Sequence, residues 1–166
     1  MPFFLDTEWQ NDELRDLVSM ALLSDDGRRH FYAERDPLPE APSDFVRDVV
    51  YPLLDRGSAA LSDEAFTQAL RTFMAEIENP EVLADSPTDF RLLSQALSGF
   101  GAEHLPPPPS WRPKLISDED VQRRIEDYFV SDASARVRRH HALVDAEALR
   151  WAFQGVVQPA VWGTLE

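Results

Sequence analysis

Phe3-Phe4-Leu5-Asp6-Thr7-Glu8-Trp9 opens the chain, and its reading decides the fold. The stretch is rich in aromatic side chains, includes β-branched Thr7 and contains no breaker, so it reads as a strand. Residues two apart on a strand share a face. Asp6 and Glu8 therefore point one way, and Leu5 and Thr7 the other. Two carboxylates side by side in a half-buried sheet repel, and one holds a proton unless a cation intervenes. The plain alternative for this pair is a solvated strand end with two surface acids.

Outward from this strand, residues 18–23 form a second apolar run, followed by Asp25-Asp26-Gly27 and then residues 28–34. An Asp-Gly step between two strand-like runs signals an antiparallel hairpin. A proline-rich loop over 36–42 leads to Ser43, a helix N-cap candidate, and to the stripe Phe45, Val46, Val49, Val50, Leu53 and Leu54. Pro52 should kink or end that helix. Ser62 opens a clearer helix (Phe66, Leu70, Phe73, Met74, Ile77) that Asn79-Pro80 stops. Residues 81–84 suit a short strand, and Pro87 fits the first turn of a helix running to about Ser98. Pro106 to Pro109 form a stiff connector, 114–116 one more strand, and Ser117-Asp118-Glu119-Asp120 resembles a capping box before Val121, Ile125, Tyr128 and Phe129. The last helix starts near Ala142 and ends by Gly155.

Strands first, then helices alternating with short strands, predict an α/β fold. The expected sheet is mixed, with three N-terminal strands including an antiparallel hairpin and then parallel strands, flanked by α-helices. At 166 residues and 18.9 kDa the chain reads as one domain over 1–166, with its core at about 3–155 and a short tail at 156–166. No apolar run approaches a membrane span, and the N-terminus lacks the basic region of a signal peptide. The absence of cysteine excludes a disulfide framework and a thiolate metal site, and fits a cytoplasmic setting. A net charge of −14 argues against a tight, non-specific binder of nucleic acid, but not against an enzyme that acts on one.

Two more acids fall on apolar stripes. Asp89 heads Leu92, Leu93, Ala96 and Leu97, and Asp145 lies within Ala142, Ala146, Leu149 and Phe153. Each sits in the first turn of its helix, where an acid also serves as a cap or dipole partner. Burying unpaired charge is costly, and a chain that does so repeatedly usually supplies a cation to share. A histidine just outside such an acid can take a proton from attacking water, and His140 and His141 precede Asp145. With His30 and His104 the only other histidines, a zinc site lacks ligands, whereas hard oxygen donors favour Mg²⁺ or Mn²⁺.

Taken in order, Asp6-Thr7-Glu8, Asp89 and His140-His141-Ala142-Leu143-Val144-Asp145 resemble the DEDDh 3′–5′ exonucleases of the RNase H-like superfamily, and most of all the small bacterial exoribonuclease-like proteins. The resemblance covers roughly residues 3 to 155. It implies that Asp6, Glu8, Asp89 and Asp145 hold two divalent ions, Mg²⁺ or Mn²⁺. It also makes His140 the general base, since the family spacing is His-x4-Asp, with His141 as the second candidate. Where the family often has Asn four residues before the middle Asp and an aromatic directly before it, this chain has Asp85 and Thr88. Thr7, Glu8, Trp9 and Asp85 would border a terminal nucleotide, and Arg139, with Arg136 and Arg138, would contact phosphate. The implied partner is the 3′ end of single-stranded RNA, with single-stranded DNA as the close alternative and a non-catalytic interaction domain as the distant one. Related exonucleases are commonly homodimers, and Val156, Val157, Val161 and Trp162 offer an apolar tail for such a contact.

Overall fold

A computed structural model describes residues 1–157. Along the chain come β1 (Pro2–Trp9), β2 (Leu17–Ser24), β3 (His30–Arg35), β4 (Ala60–Leu61), α1 (Asp63–Ala75), β5 (Glu81–Ala84), α2 (Pro87–Leu97), β6 (Arg112–Leu115), α3 (Glu119–Ser131), α4 (Ala133–Arg136) and α5 (Ala142–Val157). The strands form one mixed sheet in the order β4-β3-β2-β1-β5-β6. β1 pairs antiparallel with β2 and β2 with β3, whereas β4, β5 and β6 each pair in parallel with their neighbour. The α/β class and the mixed sheet flanked by helices agree with the sequence reading.

The faces of β1 set the two layers. Phe3 and Leu5 pack with Phe66, Leu70 and Met74 of α1 and Leu92, Leu93 and Ala96 of α2. Phe4 packs on the opposite face with Val121 of α3 and Leu149 and Ala152 of α5. Every residue of β2 is buried, the expected result for a strand covered on both sides. Ala21 of β2 meets Ala142 and Ala146 of α5 in a cluster of small side chains. That smallness lets the start of α5 come close to β1, at the level of Asp6.

Helix starts follow the sequence. The Ser62 hydroxyl accepts from the Ala65 amide and the Ser86 hydroxyl from the Thr88 amide, with Pro87 opening α2. At α3 the cap is Asp118 rather than Ser117, its carboxylate accepting from the Asp120 amide. The segment after Ser43 departs from the expected regular helix. It is a wide turn over Val46–Val50 followed by a tight one over Tyr51–Leu53, where Pro52 sits. Val46 and Val50 are buried against Val18, but Phe45 is 49% exposed. The short elements β4 and α4 were not expected. The connector at 106–109 is held at its start by Arg71, which donates to the Pro106 carbonyl. Val156 packs against the α3–α5 core, and Val161 and Trp162 lie outside the described residues.

One buried acid has no sequence signal. Glu34 on β3 is fully buried and accepts from the Tyr32 hydroxyl at 2.6 Å, the Asp55 amide at 2.6 Å, the Arg56 amide at 3.0 Å and the Arg56 guanidinium at 3.3 Å. These bonds fasten the segment around Asp55, including Arg56 at a positive φ of 53°. Truncation strands several buried donors, so Glu34→Ala should lose about 3 kcal/mol of stability. Urea unfolding checks this, and a loss below about 0.5 kcal/mol would show that the network contributes nothing.

Candidate active site

The acids meet where β1 and β5 end and where α2 and α5 begin. The cleft there has a volume of about 440 Å³, and its walls include Asp6, Glu8, Trp9, Asp85, Asp89, His140 and Asp145. Strand periodicity aims Asp6 and Glu8 at α5, as their spacing requires. Ligand atoms of Glu8, His140 and Asp145 lie within 4.8 Å of one another. Asp6 and Asp89 stand outside that triple. Asp6 Oδ2 is enclosed and has no hydrogen-bond partner.

The remaining sequence candidates divide. The Thr7 side chain lies on the α2 side of β1, where its hydroxyl donates to Asp89 Oδ1 at 2.6 Å, and Thr7 still lines the cleft. That bond uses the donor expected to border a nucleotide, and it orients Asp89. Trp9 follows a bulge in the β1–β2 ladder, which lets one partly buried side chain both pack on the α1–α2 core and line the cleft. Asp85 is at the rim and accepts from Gln122 at 3.3 Å. Arg139 is committed to Glu126 through two bonds and lies 4.8 Å over the Phe129 ring, so it is not a free phosphate contact. Arg138 is paired with Asp55, and Arg136 is exposed.

The two histidines have separate fates. His140 adopts a φ of 75° and faces the cleft, its ring edge-on to Phe45 at 4.9 Å, while its amide donates to both oxygens of Asp145 at 3.2 Å. His141 is 1% exposed, stacked on Tyr32 at 4.5 Å and absent from the cleft wall. Phe45, Ser43, Asn11 and Asp12 also line the cleft and were missed. Phe45 stands on the apolar stripe of residues 45–54, and nothing in its spacing marks it as exposed.

Burial and mutual repulsion dominate the electrostatics. Asp6 is pushed well above the usual carboxylate range by burial and by Asp145, Glu8 and Asp89. Burial, with Asp145 and Asp89, raises Glu8 to about 9. Burial also raises Asp89 to about 7 against the opposing Thr7 bond, and Asp145 to about 7 against the His140 amide and Arg139. Burial and the neighbouring Arg139 lower His140.

Comparison with protein-family models and with curated proteins finds no match. Among the described residues no helix is long and apolar enough to cross a membrane.

The raised carboxyls have a consequence for stability. Each binds a proton in the folded chain at a pH where the unfolded chain has released it, so their contribution is present at low pH and lost as pH rises through about 7 and then about 9. Between about pH 7 and pH 9, histidines and ordinary carboxyls barely titrate, so a change there reports this cluster. With EDTA present, the thermal midpoint should fall by several degrees across that interval. A flat or rising midpoint would show that the carboxyls are not desolvated as their geometry requires.

Proposed function

We propose that this chain is a divalent-metal-dependent 3′–5′ exonuclease of the DEDDh type, acting on single-stranded RNA ends, with an RNase H-like fold. The observation that carries this reading is the convergence of β1, the start of α2 and the start of α5 on one acidic cleft with His140 at its wall. The sheet order, with antiparallel β2 beside a central β1, supports the fold assignment.

The residues fit a metal centre. Asp6 Oδ2 is a buried acceptor with no internal donor, Glu8 and Asp145 bring hard oxygens to within 4.8 Å of each other, and no thiolate competes. Asp6, Glu8, Asp89 and Asp145 would hold the ions, and Thr7 fixes the Asp89 carboxylate for that task. Bound there, two divalent ions would supply Lewis-acid activation of water and stabilise charge on the leaving 3′ oxygen. His140, kept neutral by burial and by Arg139, accepts the water proton at an imidazole nitrogen. Its backbone amide meanwhile holds Asp145 in place. Trp9 and the exposed ring of Phe45 offer apolar surface to a terminal base. His141, buried against Tyr32, takes no part in proton transfer.

With Mn²⁺ or Mg²⁺, RNA labelled at its 5′ end should shorten from the 3′ end and release nucleoside 5′-monophosphates. Matched DNA oligomers measure the sugar preference. Asp6→Ala and Asp145→Ala should lower kcat about a thousandfold or more, while the metal-free variants keep or gain stability through relief of repulsion. Full activity in either variant removes the metal assignment. His140→Ala should lose about a hundredfold in kcat yet bind Mn²⁺ by calorimetry. A larger loss in His141→Ala would reverse the choice of histidine. No cleavage and no calorimetric ion binding would leave a non-catalytic domain.

A further inference from the structure

Besides its own amide bonds to Asp145, His140 is held from outside the cleft. The residues around it are tied to three different parts of the fold, and none of these ties touches the acidic cluster. Arg139 binds Glu126 on α3. His141 is buried, with its ring stacked on Tyr32 of β3 at 4.5 Å. Arg138 reaches Asp55, its Nη2 lying 3.2 Å from Oδ1. Asp55 also meets His141, whose Nε2 lies 3.4 Å from Oδ2. One carboxylate therefore ion-pairs with Arg138 on one side of His140 and lies beside the His141 ring on the other, without a hydrogen bond to it.

Asp55 is itself fixed. Its amide donates to the buried Glu34 carboxylate at 2.6 Å, and Glu34 also takes the hydroxyl of Tyr32, the residue that carries His141 on its ring. From the buried strand outward, the order is Glu34, then Asp55, then Arg138 and His141, with His140 between them. His140 adopts the left-handed backbone region at a φ of 75°, which a residue with a Cβ holds only when its surroundings determine it. This conformation sends the His140 ring to Phe45 and the cleft, while the next ring goes into the core.

We propose that Asp55 is a positioning residue for His140, clamping residues 138 and 141 so that the imidazole between them faces Glu8 and Asp145. The kinetic part of this proposal rests on the exonuclease reading above. The clamp itself is a statement about conformation. Asp55 lies outside the cleft wall, and its side chain is half exposed, so its truncation leaves the core intact.

Asp55→Ala is the direct variant, with Arg138→Ala as a second that removes one arm of the same grip. Two readouts are needed: steady-state kinetics on a single-stranded RNA oligomer with Mn²⁺, and the cross-relaxation signal between the His140 and Phe45 ring protons. The expected result for Asp55→Ala is a kcat about tenfold lower or worse, an unchanged KM, unchanged Mn²⁺ affinity and a weakened ring–ring signal. In a His140→Ala background the same substitution should have no further effect on kcat, because the group being positioned is gone. An unchanged kcat with an intact ring–ring signal overturns the proposal, as does a loss that adds in full to that of His140→Ala. If the unmodified protein cleaves nothing, the exonuclease reading fails. The ring–ring signal then decides the clamp alone, supporting it if weakened in Asp55→Ala and overturning it if retained.

Discussion

Two carboxylates on one face of the central strand are the constraint around which the rest of this molecule is arranged. β1 lies between β2 and β5, and Phe3, Phe4 and Leu5 anchor it in both helical layers, so Asp6 and Glu8 cannot turn away to bulk water without breaking the sheet. Apolar packing cannot fill the space in front of them. The start of α5 approaches through Ala142 and Ala146, and it brings Asp145, a third negative group, instead of a counter-charge. Burial and repulsion then lift the carboxyls together, the Coulombic cost being larger in a partly dehydrated cleft than in water.

What could be read in advance follows the periods of regular structure. Period two placed Asp6 and Glu8 on one face, and the three- and four-residue spacing of α2 and α5 put Asp89 and Asp145 in line with buried leucine and alanine. Glu34 escaped the same logic. In His30-Phe31-Tyr32-Ala33-Glu34 it shares the parity of the more exposed His30 and Tyr32, and it is buried only because the segment at 54–57 crosses that face and supplies donors. Phe45 escaped because its stripe assumed a regular helix, whereas the wide turn at Val46–Val50 leaves it outside. The His-x4-Asp spacing of the resemblance points to His140, but His141, four residues from Asp145, stays a second candidate on spacing alone. A single left-handed residue sends adjacent side chains to cleft and core, and no period encodes that.

Charge around the cleft bears on how any polyanion would be held. The walls carry no lysine or arginine, and residues 158–166 contain none. Arg47, Arg138 and Arg139 are each paired with a carboxylate. Arg15, which donates to the Thr88 hydroxyl beside Asp89, is held by no carboxylate among the described residues, and few other cations near the cleft are free to meet a bound phosphate. In the proposed reading, affinity comes from close contact at the cleft, through cations at the acids and aromatic surface at Trp9 and Phe45. A loosely held strand suits an enzyme that must release its product after each cut.

Glu34 and Asp6 show why buried acids should be sorted by their donors and not by burial alone. Both belong to one sheet, Glu34 fully enclosed and Asp6 with one enclosed oxygen at the cleft wall. Glu34 accepts from a hydroxyl, two amides and a guanidinium, and these satisfy its charge within the fold. Asp6 has an oxygen with no donor and four acids around it. Folding alone gives no reason to keep an unsatisfied acceptor among like charges, since an apolar residue of similar size would be less costly there. The first acid is explained once its loop is in place. The second remains a cost to the isolated chain, and a positive ligand is the physical remedy that its surroundings leave open.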